Sequence, residues 1–416
     1  MPSNNTIKKY DKYKDSGIPW IGEIPEEWNI TKLKQHYQFE KGKNASLYTN
    51  EYIGANEGEY PVYSGQTEND GIMGLVNTFD YDEKICVFTT TVGAKVMSPK
   101  ILSGKFCLSQ NCLIMKRVGP LYEKFLYYQL FPLFDYEKSL IPSYMQPSLR
   151  ISDLKKYFVL FCKEQQAIAD YLDEKCGAID KAIDTEKDII EKLKEYKQSL
   201  ITETVTKGLD KSAPMKDSGI PWIGQIPQHW EIRRLKEVVN RRNQKGLAQN
   251  QTYLALEHVS SYTGTYSIQE NITPEGTPCM MKKGDILFAK LRPYLAKAII
   301  SDIEGVCSSE FLVLKDYKGV SFFLLRVLLS HWFINVVNSS TYGTKMPRAN
   351  WGFIGNMEIP FPPKAEQQAI ADYLDEKCSK IDKAIADKEQ VIEKLTEYKK
   401  SLIYECVTGK RMVGNV

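Results

Sequence analysis

Histidine is scarce, the cysteines do not pair in sequence, and no apolar run is long; these shortages narrow what the chain can be. Four histidines (36, 229, 258, 331) and nine cysteines (86, 107, 112, 162, 176, 279, 307, 378, 406) occur in 416 residues, and no two cysteines are spaced CxxC. A zinc site or a disulfide framework is therefore not expected, and reduced thiols in a cytoplasmic protein are. The most apolar run, FFLLRVLL at 322–329, is interrupted by Arg326 and falls far short of the ~20 residues that span a bilayer. No membrane partner is expected, and MPSNNTIKKY at the start lacks the apolar stretch of a signal peptide. Excess charge is missing too. With 55 Lys+Arg against 52 Asp+Glu the net charge is +3, so any polyanion must be met by a local patch.

Catalytic signatures are absent as well. There is no GxxxxGK[ST] phosphate loop, no GxGxxG, and no Asn/Asp-Pro-Pro-aromatic tetrad; the one Pro-Pro, at 362–363, lies between Phe361 and Lys364. HExxH, GxSxG and zinc-deaminase patterns are also missing. A self-contained enzyme is disfavoured, and neither a metal nor a catalytic residue is assigned.

What is present is a repeat. KDSGIPWIG at 14–22 returns at 216–224, EQQAIADYLDEKC at 164–176 returns unchanged at 366–378, and EKLKEYKQSLI at 191–201 returns as EKLTEYKKSLI at 393–403. Every offset is 202. Between these blocks, residues 31–163 and 233–365 share little beyond one faint echo, LSQNCLIMK (108–116) against CSSEFLVLK (307–315). The chain divides as 1–163, a first insert with its frame segment; 164–208, a helix; 209–365, a second insert with the repeated frame segment; and 366–416, a second helix and tail. A constant frame around different inserts suggests two recognition tasks.

The helices carry heptad seams: Ile168, Leu172, Cys176, Ile179, Ile183, Ile190, Leu193 and Leu200, with polar breaks at Glu186 and Lys197. The second copy runs Ile370, Leu374, Cys378, Ile381, Ile385, Ile392, Leu395 and Leu402, broken at Lys388 and Lys399. Two equal seams in one chain can satisfy each other, and ~40 residues at 1.5 Å each make a rod of roughly 60 Å. Gly208 and Gly409 stand where left-handed caps belong. The inserts read as mixed α/β, with short strands at 86–96, 112–118, 284–291 and 310–317 and apolar helices at 121–134 and 320–337. The fold expected is α+β: two mixed domains, two long helices paired as an antiparallel coiled coil, and a pseudo-two-fold repeat. Trp20, Trp28, Trp222 and Trp230 are expected to pack in the SGIPWIGxIPxxW segments.

Binding chemistry concentrates on the inserts' loops. Residues 231–365 hold 17 Lys+Arg against 11 Asp+Glu, a local +6, whereas 29–163 hold 16 against 13, or +3. In the second insert Arg241, Arg242, Lys290, Arg292, Tyr294, Lys345, Arg348 and Asn350 offer cations and amides that suit phosphates, guanine and adenine edges. In the first, Ser64, Gln66, Thr90, Lys95, Gln110, Asn111 and Gln146 offer hydroxyls, amides and one cation. On residues alone, a tandem-repeat protein scaffold or a stand-alone DNA-binding regulator remains open.

These features together resemble one family. The doubled SGIPWIGEIPEEW/SGIPWIGQIPQHW segments, the doubled EQQAIADYLDEKC, YPVYSGQTENDGIMG (60–74), GDILFAKLRP (284–293) and PFPPKAEQQAI (360–370) are similar to those of specificity subunits of type I restriction–modification systems. One departure is that the first copy has FCKEQQ (161–166) where the second has Pro-Pro ahead of its Glu-Gln-Gln. The resemblance implies that each insert reads one half of a bipartite double-stranded DNA target while the helices set the gap. It also implies two methyltransferase and two motor–nuclease subunits as partners. S-adenosylmethionine, ATP and magnesium would belong to those partners, with no cofactor on this chain.

Overall fold

The computed structural model describes residues 8–66, 69–93, 95–246, 251–268 and 276–413; Thr67, Glu68 and Ala94, which fall in stretches quoted above, lie outside them. The chain forms two compact units, Met1–Glu186 with Gln390–Val416, and Lys187–Glu389. Each long helix is thereby divided between the units.

In the first unit the strands order as Tyr37–Lys41, Cys112–Arg117, Tyr81–Thr90, Pro99–Leu108, Glu57–Tyr63 and Ile72–Val76. All neighbours are antiparallel except Glu57–Tyr63, which runs parallel to Pro99–Leu108. Side chains alternate faces along a strand, and here both faces are apolar. Val87, Leu113 and Met115 pack with the helix Glu123–Ser139, while Cys86, Phe88, Phe106 and Ile114 form a separate cluster.

The second unit splits its strands between two sheets. One orders Asn240–Arg241, Phe311–Lys315, Ile286–Ala289 and Ala298–Ile300; the other orders Tyr253–Leu254, Gly305–Cys307 and Cys279–Met281. Ile286, Phe288, Leu312 and Leu314 face helices Ser321–Leu328 and His331–Ser339, and the alternate residues Leu287, Ala289, Phe311 and Val313 share a cluster with the three-stranded sheet. The single helix expected over 320–337 is in fact two, bent by 57°. Ser330 is the reason: its extended backbone (φ −70°, ψ 145°) is that of an N-cap, and its hydroxyl donates to the Val327 carbonyl. Among the described residues no single helix is long and apolar enough to cross a membrane. All nine cysteines are buried free thiols, and no described group of three His, Cys, Asp or Glu gathers as a metal would need.

The frame repeats in three dimensions. Tyr13–Asp15 pairs with Glu23–Pro25 as Met215–Asp217 pairs with Gln225–Pro227, residue for residue. Trp20, Trp28 and Trp230 are buried as expected; Trp222 is 46% exposed and does not pack. Gly208 (φ +75°) and Gly409 (φ +72°) end the two helices in left-handed geometry, with Trp230 and Trp28 respectively close against them.

Each insert is closed by one two-stranded pair, Asn29–Lys32 with Phe158–Phe161 and Glu231–Arg234 with Glu358–Phe361. Phe161 faces Asn29, and Phe361 faces Glu231. The second insert therefore closes two residues sooner, and two more residues separate it from the repeated Glu-Gln-Gln block. The first long helix spans Gln165–Lys207 and the second Lys364–Val407, so the second begins before residue 366. Pro363 sits at its N-cap, where a missing N–H costs nothing, and its carbonyl accepts from Gln367 N at 3.0 Å; Glu164 does the same for Ile168 at 2.9 Å.

Within each unit the two helices pack antiparallel. Ile168, Leu172, Ile179 and Ile183 share the first core with Leu402, with Ile392 and Leu395 against it. Ile370 and Leu374 share the second with Ile201 and Val205, with Leu200 against it. Ile190 and Ile381 are buried, while Leu193 and Ile385 are half-buried.

Candidate nucleic-acid interface

A repeated glutamine pins each insert to its helix. Gln165 Oε1 accepts from Tyr122 N at 2.7 Å and its Nε2 donates to Pro120 O at 3.1 Å. Gln367, 202 residues on, accepts from Val320 N at 2.9 Å and donates to Pro362 O at 2.8 Å, and it is buried. Tyr122 and Val320 are the N-caps of the apolar helices, so each glutamine ties one helix start to another. About two turns further along, Asp173 accepts from Lys124 Nζ (2.5 Å) and Tyr128 OH (2.7 Å), and Asp375 pairs with Arg326 at 3.4 Å. Lys124 and Arg326 are themselves 202 residues apart. Asp173's hydrogen bond, opposed by burial, raises the Lys124 ammonium pKa above its usual value.

On that frame the first unit gathers four distant loops. Thr91 N donates to Asn111 O (2.8 Å), Leu149 N to Thr91 O (2.8 Å), and Ser109 N to Tyr63 O (2.9 Å), while Val92 bridges Ser148. Ser64, Thr90, Gln110, Asn111 and Gln146 thus belong to one end of the sheet. Gln110, Asn111 and Gln146 are exposed there, Asn111 in left-handed geometry (φ 65°) that suits asparagine. Ser64 and Thr90 are buried and serve the fold: the Ser64 hydroxyl bonds Gly71 O, and the Thr90 hydroxyl bonds the Lys95 carbonyl. Lys95 is exposed, and Gln66 Nε2 donates to Ile72 O at 2.5 Å, closing its own loop.

The second unit builds the same junction from other residues. Lys290 N donates to Glu310 O (2.9 Å), Ala349 N to Lys290 O (2.9 Å), and Leu291 bridges Arg348. Lys290, Glu310 and Arg348 therefore stand where Thr91, Asn111 and Ser148 stand in the first unit. The faint echo between 108–116 and 307–315 marks this shared strand. Arg348 Nε lies 3.3 Å from both Glu310 carboxylate oxygens. Arg292 N donates to Pro347 O at 2.7 Å, and Arg292 itself is left-handed (φ 49°) with a buried, unpartnered Nε. Tyr294 and Lys345 are exposed beside it. Asn350 contributes differently, its Oδ1 capping the short helix Trp351–Ile354 by accepting from Phe353 N at 3.0 Å.

Two residues expected at this surface lie elsewhere. Arg241 pairs with Leu314, whereas the junction is at Glu310, just before Phe311, about 14 Å along the strand at ~3.4 Å per residue. Arg242 is bound to buried Asp285 through two bonds of 2.7 and 3.0 Å, and that hydrogen bonding, opposed by burial, raises its pKa further. A doublet of arginines in a polar run does not reveal which side chain faces a carboxylate 43 residues away. Sequence reading also missed Gln165 and Gln367, although their letter-for-letter repetition was a signal. It missed Tyr144 and Tyr342 too, which are 86% and 61% exposed beside the two junctions.

The sequence profile of a family described as "Type I restriction modification DNA specificity domain" matches residues 25–195 and 227–397. The MjaVIII type I restriction enzyme specificity subunit of Methanocaldococcus jannaschii is 25% identical over 418 residues, covering 94% of this chain and 95% of that protein. The EcoDI specificity subunit of Escherichia coli is 23% identical over 372 residues, covering 84% and 81%. One solved structure, described as "Structural basis underlying complex assembly and conformational transition of the type I R-M system", matches with a TM-score of 0.66. It is 12% identical and covers 92% of this chain and 98% of its own, a likeness of fold.

Proposed function

The chain belongs to the type I restriction–modification DNA specificity family, and from that premise we propose that each of its units reads one half of a bipartite double-stranded DNA target through its loop junction. The carrying observation is the junction built twice on identical backbone bonds with different side chains, Thr91, Asn111 and Ser148 in one unit and Lys290, Glu310 and Arg348 in the other. Constant backbone with varied donors and acceptors is what reading two different base sequences requires. In the second unit Lys345 and Arg348 supply cations for phosphate or guanine, and Glu310 can accept from a cytosine amine. In the first, Gln110, Asn111 and Gln146 present amides and Lys95 a cation. The paired helices set the gap and offer the docking surface for two methyltransferase subunits, joined by two motor–nuclease subunits in the full complex. S-adenosylmethionine, ATP and magnesium would belong to those partners, as the family resemblance implies.

The test is reconstitution. The purified chain with S-adenosylmethionine is expected to leave DNA unmethylated, and adding its methyltransferase subunit to produce methylation at one bipartite motif. Methyl transfer by the chain alone, or methylation by the partner that is the same without this chain, would overturn the proposal.

A further inference from the structure

Resting on that reading, the geometry points to a second contact mode: Tyr144 and Tyr342 are stacking wedges, each ring pressing against a base pair at the margin of its half-site. Both residues sit on the loop that precedes the junction's last segment, Leu149 in one unit and Ala349 in the other. Tyr144 lies in a turn closed by Met145 N donating to Pro142 O at 2.9 Å. Tyr342 stands at the foot of a tight hairpin, exchanging bonds of 3.1 and 3.0 Å with Arg348, with Gly343 at φ +89° just beyond it. Each tyrosine is followed by an exposed methionine, Met145 (54%) or Met346 (48%), and then by a proline, Pro147 or Pro347.

A single exposed apolar side chain needs no explanation. Two inserts of different sequence each placing an exposed tyrosine and methionine on the loop that runs into the same junction, Tyr144 five residues before Leu149 and Tyr342 seven before Ala349, is a different matter. The loops are held by backbone bonds before any ligand arrives, so little ordering is left to offset stacking. Lys345 lies between Tyr342 and Met346 on one hairpin, and Arg348 closes it. A polyanion drawn to these cations brings its bases to the ring. Duplex DNA supplies both features: phosphates for Lys345 and stacked faces for an aromatic or thioether wedge. Sequence enters through the step being opened, since pyrimidine–purine steps unstack most readily.

The experiment uses the full chain with its methyltransferase subunit and a duplex carrying the motif found by methylation mapping. 2-Aminopurine replaces successive adenines at the margins of each half-site. Wild type should brighten 2-aminopurine at one margin per half. Tyr144→Ala should abolish the signal in the first half only, Tyr342→Ala in the second only, each weakening specific binding about tenfold, within the range of one base–aromatic stack. Tyr144→Phe and Tyr342→Phe should keep the signal, because the ring is retained. Phe variants as weak as Ala would replace stacking by a hydroxyl contact and overturn the proposal. So would Ala variants that bind and fluoresce like wild type while Lys345→Ala weakens binding, an outcome that leaves the two-reader function standing. Wild type with no specific binding to the duplex would remove both.

Discussion

Lys399 Nζ lies 2.6 Å from Asp180 Oδ1 in the first unit, and its repeat counterpart Lys197 lies 2.7 Å from both oxygens of Asp382 in the second. In each pair the residue numbers sum to 579, the mark of one antiparallel register. These lysines are two of the four polar breaks in the heptad seams, and the ion pairs account for those two. Polar residues at seam positions fix register at some cost in stability.

The two pairs differ in burial, and that predicts unequal effects. The Lys197 side chain is 6% exposed and that of Lys399 26%. Asp382→Ala leaves a buried ammonium and should cost about 3 kcal/mol; Asp180→Ala should cost under ~1 kcal/mol. Adding Lys197→Met to Asp382→Ala should recover most of the loss. Denaturant unfolding of wild type and the three variants measures this, and equal losses for the two aspartates would refute it.

Gln367 is buried with partners on two segments, whereas Gln165 is half-buried. Gln367→Ala strands the Val320 amide and should cost about 2–3 kcal/mol, against about 1 for Gln165→Ala. Thermal melts followed by circular dichroism would show the larger shift for residue 367.

Arg242 and Lys345 should separate stability from binding. Arg242→Ala leaves buried Asp285 unpaired and should cost about 3 kcal/mol, with the methylated motif unchanged in the folded protein. Lys345→Ala should leave the melt alone, weaken DNA binding across all sequences and lower the salt slope by about 1. Loss of motif selectivity in Arg242→Ala would contradict this.

Glu137 lines a cleft of about 570 Å³ with Leu133, Tyr136, Tyr157 and Lys156. Burial raises its pKa from the usual 4.5, and a hydrogen bond from Tyr157 opposes the rise. A carboxyl raised in the folded state favours folding below its unfolded pKa and loses that contribution as pH climbs through the folded value. Glu137→Gln should therefore be more stable than wild type at pH 7, with the difference vanishing below about pH 4.5. Melting curves across pH 4 to 8 give the sign directly.

The frame was legible because it is written twice. Repeated blocks and heptad spacing locate the long helices to within a few residues, and the Pro-Pro departure marks where the second helix starts early. The inserts were legible only in part. Strand candidates such as 112–118 and 310–317 were recognisable from composition, but nothing in sequence says that Thr91, Asn111 and Ser148 share backbone bonds. Partners far apart in the chain also decide which cation is spent: Asp285 takes Arg242, and Glu310 lies beside Arg348. Trp222 is exposed while its repeat counterpart Trp20 is buried, and nothing in the structure explains it.

The central claim is that each insert reads its own half-site on an interchangeable frame, and one graft tests it. The closing strands define equivalent ends, so residues 29–161 can replace 231–361, presenting Lys124 to Asp375 as it is presented to Asp173. Single-molecule sequencing of DNA methylated by the grafted chain with its methyltransferase is expected to return a palindrome. That palindrome should consist of the first half-site and its reverse complement. Methylation of the original asymmetric motif by the graft would contradict the account.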